Sequence, residues 1–216
     1  MVKLNYKNYQ IEIFNDSNYT INSIDNLKVY DTVFFQEKKD KDKLYSTSKC
    51  GIIVKKSDTK IASAIICESG SATAITEKSF IIEDDRIWIC VCNKVYCLEI
   101  PSLNLVWRKE IDFITNFSIH KIQDDFIIHG ELDIKRITKD GETIWSFGGR
   151  NIWVNQEGRT EFNIENNKIH LFDFESNEYI LDFNGETILD NPKPSTEKNW
   201  MDVLKIAQEI KKNKPS

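Results

Sequence analysis

The stretch His129-Gly130-Glu131-Leu132, with Arg136 five residues beyond the glutamate, is where residue types and spacing come nearest to chemistry. Alternate residues of an extended strand share a face, so the imidazole of His129 and the carboxylate of Glu131 would project together, as a general acid and base require. Gly130 between them permits close backbone approach. A small hydrolase or lyase working through His129 and Glu131, with Arg136 nearby, is one expectation. The commoner role of such a polar pair at a strand end is to hold a turn by hydrogen bonds. With no nucleophile or metal pattern beside it, the turn-holding role is the one the sequence favours.

A second cluster runs Ser146-Phe147-Gly148-Gly149-Arg150-Asn151-Ile152-Trp153. The paired glycines suit a tight turn or bulge, beyond which Arg150 and Trp153 would stand at a rim as binding candidates, the residue types favoured as interface anchors. The glycine spacing is not that of a phosphate cradle, and the flanking segment reads as strand, with no helix amino terminus to offer. His120 and His170 stand singly in strand patterns.

Of the five cysteines, Cys90, Cys92 and Cys97 are close in sequence. If Asn93-Lys94 is a two-residue turn, Cys90 lies opposite Cys97 and Cys92 opposite Val95, bringing three thiols to one face. A structural zinc site wants four ligands and usually a Cys-x-x-Cys turn. The expectation is therefore reduced, buried cysteines filling small core positions, with no metal and no cofactor.

These residues sit on a repeat. Asp85-Arg86-Ile87-Trp88-Ile89-Cys90, Asp125-Phe126-Ile127-Ile128-His129-Gly130 and Asn167-Lys168-Ile169-His170-Leu171-Phe172 each set an acidic or amide turn before an apolar run, with starts 40 and 42 residues apart. A second run follows in each unit, and a third closes it with Leu105-Val106-Trp107, Thr143-Ile144-Trp145 and Thr187-Ile188-Leu189. Asp140-Gly141-Glu142-Thr143-Ile144-Trp145 is nearly duplicated by Asn184-Gly185-Glu186-Thr187-Ile188-Leu189. A period of 40 to 42 residues with about four short strands per period is the spacing of propeller blades. The units resemble degenerate quinoprotein-type or WD-type blades, over Asp85 to Leu189. The Trp-Asp dipeptide and Gly-His pair of true WD blades are absent, and Leu189 replaces the tryptophan of the third unit. The resemblance implies a mainly β, propeller-like stack of antiparallel sheets, three clear units with room for five, and carries no catalytic residue.

Before the repeat, Tyr9–Phe14, Tyr19–Ile24, Lys28–Phe35, Gly51–Lys55, Ile61–Cys67 and Thr73–Ile82 read as further strands, with the charged run Gln36–Lys43 as a solvated loop. They fit two more blades or an appended sandwich-like layer equally well. After it, the prolines of Asn191-Pro192-Lys193-Pro194 end the sheet. Trp200, Val203, Leu204, Ala207 and Ile210 then share one face of a helix expected to dock on the β body. The domain expectation is a single β-repeat domain over 1–191, with a Pro-rich linker and carboxy-terminal helix over 192–216.

Hydrophobic content of 40% with 29% charged residues is that of a globular protein, and a net charge of −5 argues against a nucleic-acid partner. No apolar run approaches membrane-spanning length and the amino terminus lacks a signal-peptide core. A cytoplasmic location follows as an expectation. The function expected is a non-catalytic protein-binding module whose partner is another protein, by analogy a bacterial immunity or antitoxin-like protein.

Overall fold

The computed structural model describes residues 1–35, 46–71 and 74–193. Their strands form four sheets in chain order. The first holds β1 (Val2–Tyr6), β2 (Tyr9–Asn15), β3 (Thr32–Phe35), β4 (Ser48–Lys56) and β5 (Thr59–Glu68) in the order β1-β2-β4-β5-β3, with β3 parallel to β5. The second holds β6 (Phe80–Glu83), β7 (Arg86–Val91), β8 (Lys94–Glu99) and β9 (Leu105–Glu110). The third holds β10 (Asn116–Ile122), β11 (Asp125–Gly130), β12 (Ile134–Ile137) and β13 (Thr143–Phe147). The fourth holds β14 (Phe162–Glu165), β15 (Lys168–Phe172), β16 (Glu178–Asp182) and β17 (Thr187–Asn191). The last three sheets are antiparallel meanders, the arrangement of a propeller blade.

Burial explains the strand sequences. In β7, Ile87, Ile89 and Val91 pack toward the first sheet while Trp88 and Cys90 pack toward the third. In β11, Phe126 and Ile128 face the second sheet and Ile127 faces the fourth. A strand sandwiched between two cores needs apolar residues at successive positions, hence the unbroken runs of β7 and β11, whereas in β15 only Ile169 and Leu171 enter a core and the strand alternates. Two-residue turns join the first two strands of the second and fourth sheets. Asp84-Asp85 (φ 49° and 56°) and Asn166-Asn167 (φ 51° and 59°) place both residues in the left-handed region that Asn and Asp tolerate.

Each blade is fastened to the next by an indole. Trp107 on β9 donates its Nε1–H to the carbonyl of Lys139 (3.0 Å), and Trp145 on β13 donates to the carbonyl of Phe183 (2.9 Å). Both acceptors lie in the turn between the third and fourth strands of the following sheet. Each indole also lies against the glycine of that turn: a Cβ on Gly141 would stand 3.0 Å from the Trp107 ring, and one on Gly185 2.8 Å from that of Trp145. The glycines, at φ 75° and 82°, thus satisfy a left-handed backbone and a close approach at once. That is the physical content of the duplicated Gly-Glu-Thr-Ile segment. Leu189 occupies the tryptophan position of the fourth sheet, which has no following sheet among the described residues.

Several expectations change. The region before the repeat is one five-stranded sheet, neither two blades nor a separate layer, which makes four sheets among the described residues. Tyr19–Ile24 forms turns instead of a strand, because Tyr19 and Tyr30 anchor the segment on the outer face of the first sheet against Phe14, Ile65 and Cys67. Only Thr32–Phe35 of the Lys28–Phe35 run is strand. Within Thr73–Ile82, Thr76 caps a 3-10 turn over Glu77–Ser79, and Phe80 then opens the second sheet, so the first blade starts earlier than Asp85. The β7–β8 hairpin turns at Cys92-Asn93, not Asn93-Lys94. Trp88 then faces Cys97, Cys90 faces Val95, and Arg86 stands opposite Glu99 in the ladder, whereas the other register would set Trp88 against Glu99. Cys92 leaves the thiol face for the turn. The expected Gln36–Lys43 loop and the Trp200–Ile210 helix lie outside the described residues.

Trp145→Ala is expected to cost about 3 kcal/mol by cavity formation and loss of the inter-sheet bond. Trp145→Phe, which keeps a ring on Gly185, is expected to cost about 1 kcal/mol. Urea unfolding of the two variants distinguishes these values, and equal losses would remove the hydrogen bond from the explanation.

Candidate functional site

The third and fourth sheets part at one end to leave a cavity of about 330 Å³. The 3-10 turn contributes Lys78, β10 contributes Phe117, Ser118 and His120, β11 contributes His129, and Glu161 and Phe162 come from the start of the fourth sheet. Ser118 and His120 are two apart on a strand and share a face, and Ser118 is paired directly with His129 across the ladder. Ser118 Oγ lies 2.7 Å from His120 Nε2. The Phe162 ring is stacked with both imidazoles, centroids 4.6 Å from His120 and 5.1 Å from His129, and Phe117 tilts against His129 at 5.1 Å.

His129 is only 7% exposed, and its Nε2 lies 3.3 Å from the Trp153 carbonyl, a distance at which it serves as donor. Burial pushes both imidazoles down to about 4, and the nearby Lys78 ammonium adds to the depression of each. Both rings are therefore neutral at physiological pH. A neutral imidazole beside a serine hydroxyl can accept its proton; no third group that orients His120 is evident among the described residues.

Glu131 and Arg136 lie elsewhere. Glu131 is outside the cavity lining. Its carboxyl is raised, first by burial and then by the charge of Asp112. Asp112 organises that turn: Oδ1 accepts from the backbone N–H of Ile114 (2.7 Å) and Thr115 (3.1 Å), Oδ2 from Leu132 (2.9 Å) and Asp133 (3.1 Å). Gly130 is glycine because a Cβ there would run into Asp112 Oδ2. Arg136 points to the far side, gripping Asp125 Oδ2 through Nε (2.9 Å) and Nη2 (2.6 Å) and donating from Nη1 to the Phe183 carbonyl (2.8 Å). It shares an acceptor with Trp145 and so works in the same inter-sheet fastening. The structure brings His129 into a cavity and brings neither partner with it.

Arg150 and Trp153 also part company. The Trp153 indole is fully buried between Phe147 and Tyr179 in the core shared by the third and fourth sheets, and Trp153 is among the residues that line the cavity, its carbonyl against His129. Arg150 is ion-paired with Asp190 (2.5 and 2.9 Å) and donates to Tyr179 Oη, which clamps the loop to the fourth sheet. Among the described residues no group of three or more His, Cys, Asp or Glu side chains is placed to hold a metal. All five cysteines are free and buried. Burial pushes every one of their thiols up, those of Cys67 and Cys97 to about 11.

Sequence reading missed the Ser118–His120 pair, whose signal was present as Ser-x-His on a strand. It also missed Lys78 and Phe162, which reach the cavity only through packing between sheets.

Four face-to-face sheets, three of them four-stranded meanders fastened turn to strand, define a propeller-like repeat protein. No family model matches the chain, and no curated protein does. Among solved structures it is similar to the computationally designed Ika8 protein, at 11% identity over 67% of this chain and 45% of that one, with a TM-score of 0.47. It is similar to BamB from Moraxella catarrhalis (12% identity, 66% and 44% covered, TM-score 0.42) and to the Pan2 WD40 domain of Neurospora crassa (12%, 54% and 38%, TM-score 0.39). The chain spans less than half the length of each. No helix among the described residues is long and apolar enough to cross a membrane.

The neutral histidines fix a pH response. Their folded values near 4 lie below the unfolded value near 6.5, so between these limits the unfolded chain binds protons that the folded chain refuses. Stability is then lost as pH falls from about 6.5 toward 4, on the order of 3 kcal/mol for each histidine once fully developed. Between pH 6.5 and 5 few carboxylates titrate, and a melting temperature that declines there in the wild type and less steeply in His129→Phe is expected. The buried thiols should react with an aromatic disulfide reagent at pH 8 only on unfolding, when all five become available; rapid native-state reaction of any would contradict their burial.

Proposed function

We propose that the chain is a non-catalytic protein-binding module, with residues 1–191 acting as one β-repeat domain. The observation that carries this reading is the segment between β2 and β3, where Ile24, Leu27 and Val29 are 99%, 95% and 83% exposed. Three aliphatic side chains in one short segment turned wholly to water are costly to maintain without a partner. The segment is nevertheless ordered. Asn26 accepts from the backbone N–H of Thr20 (2.8 Å) and donates to the carbonyls of Thr20 (2.7 Å) and Ser23 (2.9 Å), while Tyr30 donates to Asp16 (2.5 Å). A hollow of about 140 Å³ beside Leu27 is bounded by Asp16, Tyr19 and Lys28. A preorganised apolar segment gives up little entropy on binding, which favours recognition.

The finer reading, a bacterial immunity or antitoxin-like partner, draws on analogy and on the net charge of −5, which suits a basic protein. The hydrolase or lyase alternative through His129 and Glu131 requires both groups at one cavity, and Glu131 does not line it. The test is affinity capture from native lysate with the wild type and with Ile24→Asp/Leu27→Asp/Val29→Asp in parallel. A stoichiometric protein captured by the first and lost with the second, at unchanged melting temperature, is expected; identical capture by both would remove the segment from the interface.

A further inference from the structure

We propose that the cavity between the third and fourth sheets binds a free aromatic α-amino acid, its ring against Phe162 and Phe117, its carboxylate toward Lys78 and its ammonium toward Glu161. The size is right: about 330 Å³ lies at the small end of the range for ligand pockets, suited to a single amino acid. The lining pairs an apolar side with charges of both signs. Half-buried Phe117, tilted against His129, and buried Phe162, stacked with the imidazoles of His120 and His129, give the cavity its apolar side. Offset or edge contact with a further aromatic ring is favourable in such surroundings.

The charges select among ligands. The lining holds one ammonium, Lys78, and one carboxylate, Glu161, while the two histidines remain neutral through burial, so its formal charge is zero. A lone anion would meet Glu161 uncompensated, and a lone cation would meet Lys78. A zwitterion matches both. Lys78 makes no ion pair within 4.0 Å among the described residues, and Glu161 accepts only a long 3.5 Å contact from the Asn155 N–H, so both heads are free to turn to a ligand. The Ser118 hydroxyl, held by His120, adds a polar group within the same lining.

Calorimetric titration of the full chain at pH 7.5 with L-tryptophan, tryptophanamide, N-acetyltryptophan and indole tests the assignment. Saturable one-to-one binding is expected for L-tryptophan, with tryptophanamide and N-acetyltryptophan, each lacking one charge, weaker by up to roughly fivefold, and indole, lacking both, weaker still, as loss of partly exposed ion pairs implies. Lys78→Ala should weaken L-tryptophan to the level of its amide, and Glu161→Gln to that of the N-acetyl compound; both are surface changes that leave the core intact. Imidazole proton shifts of His120 and His129 on titration place the ligand. No saturable heat, indole binding as tightly as L-tryptophan, variants that bind like the wild type, or unmoved imidazole signals would each overturn the proposal.

Discussion

The bond from an indole N–H to a turn carbonyl of the neighbouring sheet is what makes a row of small sheets into one body. A four-stranded meander has two apolar faces and cannot be stable alone in water. Face-to-face packing buries those faces but is tolerant of sliding and rotation. The donation from Trp107 to Lys139 and from Trp145 to Phe183, each indole lying on a glycine, removes that freedom by fixing one strand to one turn. Further donors converge on the same acceptors, Trp88 on Lys139 and Arg136 on Phe183. The register between sheets is therefore set by directed contacts, and the cavity holding His120, His129 and Phe162 inherits its shape from them.

Buried polar groups secure the other joints. Between the first two sheets, Glu68 accepts from Lys94 (2.5 Å) and from the Tyr96 hydroxyl, all three buried. Asp112 gathers four backbone N–H groups where the second sheet passes into the third, and Asp173 accepts from the N–H groups of Glu175 and Asn177 and from Tyr179 in the fourth. Each carboxylate is buried with partners enough to repay its desolvation, so the joints impose a unique geometry where apolar contact alone would not.

Legibility followed locality. Asp85 and Asn167 were informative because a tight hairpin demands particular residues at particular places, and Trp107, Trp145, Gly141 and Gly185 because one recurring contact needs all four; Asp125, aligned with them in the sequence, is the first ladder residue of β11, one place beyond the turn. The parallel pairing of β3 with β5 leaves no such mark, since it depends on residues far apart in the chain. Tyr19–Ile24 alternates like a strand, yet two buried tyrosines hold it as turns, a tertiary effect that overrides local pattern. The turn at Cys92 needed the competition between Cys97 and Glu99 for the place opposite Trp88 to be weighed. For the site, His129 was visible as a titratable group, but the cavity is made by Phe162 and Lys78, which arrive from other elements.

The fastening between blades also has a direction. Trp107 finds its acceptor 32 residues downstream and Trp145 finds its own 38 downstream. During synthesis on the ribosome, the indole of a newly emerged blade therefore has only water to donate to until the next turn has left the exit tunnel. A chain halted between Trp145 and Phe183 would thus carry the third sheet complete in sequence while the acceptor that fastens it has yet to be made.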